Sequence, residues 1–169
     1  MSGGVDSSVM AALMIEAGYD VIAVTMRLGN HDTIEYNSEK PSCCSLEGVE
    51  DARYAAMQLG ISFYAVNHED QFRQSIVDYF VDEYNAGRTP NPCIRCNNWL
   101  KFGRLVSYAR SIDADFVATG HYARVEHQDG QSRLRRALDR HKDQSYVLFG
   151  TPRQTLKQML LPVGEYHKP

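Results

Sequence analysis

Seven residues near the start of the chain, SGGVDSS at positions 2–8, have the composition of a phosphate-binding loop. Adjacent glycines adopt positive φ angles at little cost and let backbone N–H groups approach an anion, and the serines add hydroxyl donors. Apolar residues at helical spacing follow from Val9 to Ala17, so a helix N-terminus would face the same anion. We predict an anion site here, with an ordinary serine- and glycine-rich turn as the alternative.

A second candidate for chemistry is the segment NPCIRCN at residues 91–97, which holds Cys93 and Cys96. It precedes a stretch with helical periodicity, and a thiol near a helix N-terminus is favoured as the thiolate. Arg95 and Lys101 lie nearby in the sequence and would act in the same direction. The segment is therefore suited to supply a nucleophile.

The cysteines also allow a metal site. Cys93 and Cys96 have the CxxC spacing of half a zinc site, which Cys43 and Cys44 would complete, and all four are able to ligate an iron–sulfur cluster. Adjacent cysteines match common zinc spacings poorly, and Cys43 and Cys44 are alternatively loop thiols without chemistry. The sequence leaves these alternatives open and assigns no metal ligand.

The elements that would position these segments alternate along the chain. Continuous apolar runs predict three buried strands, at residues 20–26, 61–66 and 115–119. Helical periodicity predicts helices at residues 9–17, 46–59, 72–84 and 100–112, with loops at 30–45 and 88–97. A weaker pattern predicts a strand at 134–138 and helices at 146–150 and 155–161. The alternation is typical of an α/β fold with a doubly wound parallel sheet, whose ligands bind beyond the carboxyl ends of the strands.

Size, charge and cysteine content bound the class of protein. A chain of 169 residues with 43% hydrophobic residues buries one core, so we expect one domain. We find no segment suited to span a membrane and no signal segment, and expect a cytoplasmic protein with no membrane partner. The net charge of −3 argues against unspecific coating of nucleic acid, but the stretch from Arg124 to Lys142 is net positive.

Five motifs together carry a family resemblance. SGGVDSSV, a strand end at Met26, AGRTPNPCIRCN, ATGHYA and LDRHKDQSY resemble, in order and spacing, the tRNA-specific 2-thiouridylases of the PP-loop ATP pyrophosphatase superfamily. The resemblance implies an adenine nucleotide alpha hydrolase-like, Rossmann-like fold and a tRNA-uridine 2-sulfurtransferase that uses ATP and Mg²⁺. In such an enzyme AMP is transferred to O2 of the wobble uridine, and a persulfide sulfur then attacks C2 and displaces AMP.

The resemblance also implies roles for single residues. Those matching the ATP site are Met1, Ser2, Gly3, Gly4, Val5, Asp6, Ser7, Met26 and Gly120. Those matching contacts to the target base and the tRNA are Asn91, Pro92, Cys93, His121, Lys142, Asp143 and Gln144. Cys96 matches the first catalytic cysteine, as nucleophile or disulfide partner, and Asp6 is the other catalytic candidate. The alternatives are a turn at Asn91 and Pro92, a structural His121 and a solvated Lys142.

Partners and boundaries follow from the same resemblance. The substrate would be tRNA, and sulfur would arrive from a carrier protein or a cysteine desulfurase relay. We expect a catalytic-domain fragment, since the strand before the phosphate loop, the persulfide-bearing cysteine and two β-rich domains of the family have no match between residues 1 and 169. A tRNA-contacting extension is expected from about residue 123. The alternatives are another PP-loop tRNA-modifying enzyme and a tRNA-binding fragment without catalysis.

Overall fold

The structure, a computed structural model, describes residues 1–29 and 46–168. The chain divides into two compact units, Met1–Phe72 and a second that begins at Arg73. The predicted loop at 30–45, with Cys43 and Cys44, lies outside the described residues. In residues 1–29 and 46–168 no helix is both long and apolar enough to cross a membrane.

The first unit contains a parallel strand pair. Its elements are α1 (Val5–Glu16), β1 (Ile22–Arg27), α2 (Leu46–Gln58), β2 (Ser62–Asn67) and α3 (Glu69–Phe72). β1 and β2 run parallel in register from Ile22 opposite Ser62 to Arg27 opposite Asn67. Ala23 and Thr25 turn to the buried face of β1, in the period-two pattern of a strand. The strands predicted at 20–26 and 61–66 are confirmed, each within two residues.

The second unit combines a long helix, a parallel pair and a hairpin. Its helical elements are π1 (Arg73–Val77), α4 (Asp78–Asn85), α5 (Pro92–Arg95), π2 (Cys96–Arg104), α6 (Leu105–Ser111) and α7 (Arg153–Leu156), with 3₁₀ turns at Ser145–Val147 and Pro162–Glu165. Its strands are β3 (Val117–Ala118), β4 (Ala123–Gln128), β5 (Gln131–Arg136) and β6 (Met159–Leu160). β3 pairs with β6 in parallel, and β4 pairs with β5 antiparallel.

The helix that carries both cysteines starts earlier than predicted. Its segments α5, π2 and α6 follow one another without a break from Pro92 to Ser111. Asn91 caps it, since the side-chain Oδ1 accepts the N–H of Ile94 at 3.2 Å, and Pro92 takes the first helical position. A proline at that position costs nothing because its missing N–H has no partner inside the helix. The prediction of an irregular segment as far as residue 97 was therefore wrong from Pro92 onward.

Two further predictions failed, one at a local hairpin turn and one where a distant segment decides the structure. The β4–β5 hairpin was predicted only as a strand at 134–138, although Asp129 and Gly130 form its turn with φ angles of 52° and 70°. Positive φ at both central residues is the signature of the type I′ hairpin turn, which Asp-Gly favours. The helix predicted at 155–161 ends at Leu156, because Met159 and Leu160 pair with β3 instead.

The larger of two described core clusters in the second unit joins its helix, hairpin and C-terminal segment. Its most buried members come from π2, β4, the 3₁₀ turn after β5 and the segment around β6: Phe102, Ala123, Val147, Leu148, Leu156, Met159 and Leu161. Gly164 lies directly on the start of β4, where a Cβ atom would stand 1.8 Å from the carbonyl oxygen of Ala123. The turn at Pro162–Glu165 thus reaches the strand only because residue 164 has no side chain.

Candidate functional site

The glycine-rich loop lies against helix α2. Gly3 has a φ of 76°, and a Cβ atom there would stand 2.6 Å from the carbonyl oxygen of Gly48 and 2.7 Å from Cβ of Asp51. Both its backbone conformation and the close approach to α2 therefore require glycine. This contact fixes the path of the loop before helix α1 begins.

The loop opens directly into helix α1. Gly4 is the N-cap residue, at φ −77° and ψ 157°, and provides no side-chain cap. Ser7 stabilises the turn, since its hydroxyl donates to the carbonyl of Gly4 at 2.8 Å and accepts the N–H of Ser2 at 3.2 Å. A Cβ atom on Gly4 would meet only Ser2 Oγ, at 3.6 Å. First-turn amides have no carbonyl partner inside a helix, so this end is chemically suited to an anion.

Strand β1 places Met26 at the same end of the unit. The amino group of Met1 donates to the carbonyl of Val24, and the hydroxyl of Thr25 donates to the carbonyl of Met1 at 2.7 Å. The chain therefore enters the loop from beside the carboxyl-terminal half of β1. Met26 lies half-buried in that half, opposite Val66.

Cys93 and Cys96 lie in the first two turns of the long helix of the second unit. Cys93 is exposed in α5, and Cys96 is half-buried where π2 begins. π-helical segments occur frequently at functional sites. One of the two cations predicted to assist the thiols is directed elsewhere: Arg95 donates from Nε to the carbonyl of Ser75 at 2.8 Å and stacks on the ring of Tyr79, 3.7 Å from its centroid.

His121 follows β3, and its imidazole ring is largely enclosed by neighbouring side chains. Its Nδ1 lies 2.9 Å from the hydroxyl oxygen of Thr119, and its ring meets that of Phe102 at 6.1 Å between centroids. Burial, with a smaller contribution from the charge of Lys101, lowers the pKa of His121 to about 4. The imidazole is therefore neutral near pH 7, and Lys101 is the nearby cation that acts on it.

The segment Lys142–Gln144 is divided between scaffold and surface. Gln144 bonds twice to the backbone of Tyr122: its N–H donates to the carbonyl at 2.7 Å, and its Oε1 accepts the N–H at 2.9 Å. The carboxylate of Asp143 accepts the N–H of Ala137 at 2.9 Å and the hydroxyl of Ser145 at 2.8 Å. Lys142 is exposed. Asp143 and Gln144 thus shape the loop, and Lys142 is the residue of the three that faces solvent.

The positive stretch predicted from Arg124 to Lys142 is partly neutralised. Arg135 forms an ion pair with Glu126 at 2.8 Å, and Arg124 lies 3.6 Å from Glu165. Within residues 124–142, the exposed Lys and Arg side chains without an ion pair to any described residue are those of Arg133, Arg136, Arg140 and Lys142. Asp139 is turned inward, and hydrogen bonds from the N–H groups of Lys168 and His141 hold its pKa below the usual value.

A shared core brings three of the predicted segments together. Ile94 of α5, Phe102 of π2 and Val147 of the 3₁₀ turn all pack in the core of the second unit. Segments 91–96, 120–121 and 142–144 are therefore positioned by one set of buried contacts. The glycine-rich loop and Met26 belong to the first unit.

Sequence reasoning missed a second basic stretch. Residues 88–112 contain no aspartate or glutamate, and their cations are Arg88, Arg95, Lys101, Arg104 and Arg110. The stretch also carries Trp99, which is 62% exposed. The signal was present in the charge pattern, but a stretch without acids is less conspicuous than a cluster of arginines.

Because the pKa of His121 falls from 6.5 to about 4 on folding, the unfolded chain binds a proton between these pH values that the folded chain does not. We expect the free energy of unfolding to fall with decreasing pH in this window, by at most about 1.4 kcal/mol per unit for this group. His121→Gln should remove that part of the slope. Urea unfolding at several pH values measures it, and equal slopes for the two proteins would contradict the assignment.

The scaffold role of Asp143 predicts a difference between neighbours. Asp143→Ala leaves the N–H of Ala137 and the hydroxyl of Ser145 without their acceptor, so it should cost about 1–3 kcal/mol in the free energy of unfolding. The control is Lys142→Ala at the exposed position, which should change stability by less than about 0.5 kcal/mol. If Asp143→Ala and Lys142→Ala lower the free energy of unfolding by similar amounts in chemical denaturation, the scaffold role of Asp143 is contradicted.

Comparisons with known proteins agree with the motifs. The whole chain, residues 1–169, matches the family model described as tRNA methyl transferase HUP domain. The tRNA-specific 2-thiouridylase MnmA of Clostridium perfringens is 52% identical over 168 residues, which cover 99% of this chain and 46% of that protein. The proteins of that name from Rhodopirellula baltica and Carboxydothermus hydrogenoformans are 48% and 49% identical over 195 and 170 residues, covering 49% and 47% of their lengths.

The chain thus spans about half the length of the curated relatives it matches. The family match also confirms the predicted α/β, Rossmann-like class, whose parallel pairs are β1–β2 and β3–β6. The resemblance to 2-thiouridylases that the motifs predicted is confirmed, since the three relatives of that name are 48–52% identical over at least 99% of this chain. The chain belongs to the tRNA methyl transferase HUP domain family.

Proposed function

We propose that this chain carries the adenylating site of an enzyme that thiolates C2 of the wobble uridine in tRNA. The observation that carries the proposal is the SGGVDSS loop, held on α2 by Gly3 and opening into α1, in a chain 52% identical to a protein named as a 2-thiouridylase. The names of the relatives support the thiolation reaction, and the geometry of the loop supports a nucleotide site at this position.

The residues of the loop fit a triphosphate. Gly4 is open on the side where a Cβ atom would stand, apart from Ser2 Oγ, and the first turn of α1 directs its amides outward. Ser2 is an exposed hydroxyl at the same place. Met26, at the end of β1, would contact the adenine side, and Gly120 is a further candidate contact. Mg²⁺ bound to the phosphates would offset their charge as pyrophosphate departs.

The chemistry requires a poor electrophile to be activated. C2 of uridine is a urea-like carbonyl, so O2 first attacks the α-phosphorus of ATP and breaks its bond to pyrophosphate. The outer sulfur of a persulfide then forms a bond to C2, and the C2–O2 bond breaks with AMP as the leaving group. A second thiolate attacks the inner sulfur, so the S–S bond of the persulfide breaks, a disulfide forms between the two thiols, and C2 keeps the outer sulfur as a thiocarbonyl. Cys96 takes part as nucleophile or disulfide partner, and the persulfide comes through a carrier protein or a cysteine desulfurase relay.

The tRNA would meet the second unit. Asn91, Pro92 and Cys93 form the exposed start of the cysteine helix, where the target base would lie. Neutral His121 can hydrogen-bond to a base edge without repelling a cation, and Lys142 presents a charge to phosphate. Asp143 and Gln144 would contribute by holding Lys142 in place, since their polar atoms bond within the loop.

The two glycines of the loop should behave differently. Gly3→Ala introduces a Cβ atom at positive φ into α2 and should cost about 2–4 kcal/mol in the free energy of unfolding. Gly4→Ala should cost less than about 1 kcal/mol but weaken ATP binding at least about tenfold, because its Cβ atom occupies the open side of the loop. Calorimetric titration with ATP measures the second effect, and unchanged affinity in Gly4→Ala would contradict the nucleotide site.

The reaction itself is tested with the full-length protein, ATP, tRNA and a persulfide donor. We expect tRNA-dependent pyrophosphate release and 2-thiouridine at the wobble position, identified by mass spectrometry of the digested tRNA. Cys96→Ser should keep pyrophosphate release and lose thiolation, because it removes the thiol and leaves the nucleotide site intact.

Other products would overturn the proposal in distinct ways. Thiolation at another nucleotide would indicate a different PP-loop tRNA-modifying enzyme. A methylated nucleoside would agree with the methyl transferase name of the family and contradict thiolation. Retained tRNA binding with no pyrophosphate release would indicate a binding fragment without catalysis.

A further inference from the structure

Trp99 is a large exposed side chain beside the cysteines. It is the single tryptophan of the 169 residues, is 62% exposed and lies on π2 three residues after Cys96, which is about one helical turn. Single exposed apolar residues are common on protein surfaces. Exposure alone therefore does not make Trp99 a binding residue.

The indole ring is held from one side by a cation. The guanidinium of Arg95 lies 5.0 Å from the centroid of the Trp99 ring and 3.7 Å from that of Tyr79. Its Nε also donates to the carbonyl of Ser75, so the stack is tied to π1. A cation over a ring face is attractive and restricts the ring. Trp99 is thus a positioned aromatic surface with its remaining area open to solvent.

The charge around Trp99 selects the kind of ligand. Lys101 and Arg104 lie on the same π-helical segment, and the sequence from residue 84 to 112 contains no acidic residue. Tyr84, another exposed ring at 67%, lies instead on α4 with Asp78, Asp82 and Glu83. Flat rings among cations are the features with which proteins bind single-stranded nucleic acid, through base stacking and phosphate contacts.

We propose that Trp99 is a stacking platform for an unpaired nucleobase of the bound tRNA, in the same loop as the target uridine. Arg95 holds the ring from behind, and Arg104, exposed on the same helix, contacts a phosphate next to the stacked base. The inference rests on the proposed tRNA substrate and adds a recognition residue to it. A protein partner would also use an exposed tryptophan, but the cations of its own helix and the absence of acidic residues from 84 to 112 favour a polyanion that carries aromatic rings.

The emission of Trp99 tests the stack directly. In full-length protein, the difference between the wild type and Trp99→Phe isolates its fluorescence from that of any other tryptophan. We expect tRNA to quench this difference signal. A tRNA with abasic sites flanking the target uridine should bind with markedly less quenching.

Affinity gives the second readout. Trp99→Ala should weaken tRNA binding roughly 5- to 150-fold, and Trp99→Phe, which keeps a stacking ring, should recover most of it. Tyr84→Ala is the matched control, because it removes an equally exposed ring from an acidic helix and should leave the affinity unchanged. Circular dichroism and unfolding curves confirm that the variants are folded.

Two results would overturn the stack. One is a wild type that thiolates its tRNA with no quenching of Trp99. The other is a Trp99→Ala protein that binds tRNA as tightly as Tyr84→Ala does. Quenching without any thiolated product would leave the stack in place and overturn the proposed reaction instead, so the two failures are distinguishable.

Discussion

The burial of Phe102 is the interaction on which the second unit depends. This ring lies on the cysteine-bearing helix, is almost completely buried and packs with Ala123, Leu148 and Met159. It also contacts the ring of His121. Protein interiors are close-packed, so a shift of the helix would disturb the strand, the 3₁₀ turn and the histidine together. The positions of Cys93 and Cys96 relative to segments 120–121 and 142–144 follow from this packing.

One glycine in each unit permits a close contact that a Cβ atom would prevent. Gly3 lets the glycine-rich loop lie on α2, and Gly164 lets the turn at Pro162–Glu165 lie on β4. In both places a Cβ atom would meet backbone, which cannot move aside as a flexible side chain can. These contacts are short-range and steric, and they are stricter about residue type than the apolar contacts of the core, which tolerate replacements of similar volume.

Electrostatics in this chain depend on where the charges lie more than on their sum. The net charge is −3, yet the carboxylates of Asp139 and Asp143 bind backbone amides inside their loop, while Arg140 and Lys142 remain outside. In the hairpin a cation is neutralised instead, because Arg135 forms an ion pair with Glu126. A count of charges along the sequence overstates the basic character of the hairpin and understates that of the loop and of π2.

The sequence by itself determined the loop, the first strands and the family. SGGVDSS, NPCIRCN, GHYA and KDQSY are local patterns, and the apolar runs that became β1 and β2 are buried enough to be recognised without knowledge of their partners. The start of the cysteine helix was misjudged because a proline has opposite meanings at the first helical position and inside a helix. Asp129-Gly130 was a local signal for the hairpin that was not used.

Only the tertiary structure decided the remaining features, because each depends on residues far apart in the chain. Met159 and Leu160 are strand residues since β3 lies beside them, and no local pattern contains that information. Gln144 faces Tyr122 across 22 positions, Arg95 turns to Ser75 and Tyr79, and burial makes His121 neutral. The types of these side chains are read from the sequence, but whether each serves as scaffold or surface is set by its neighbours in space.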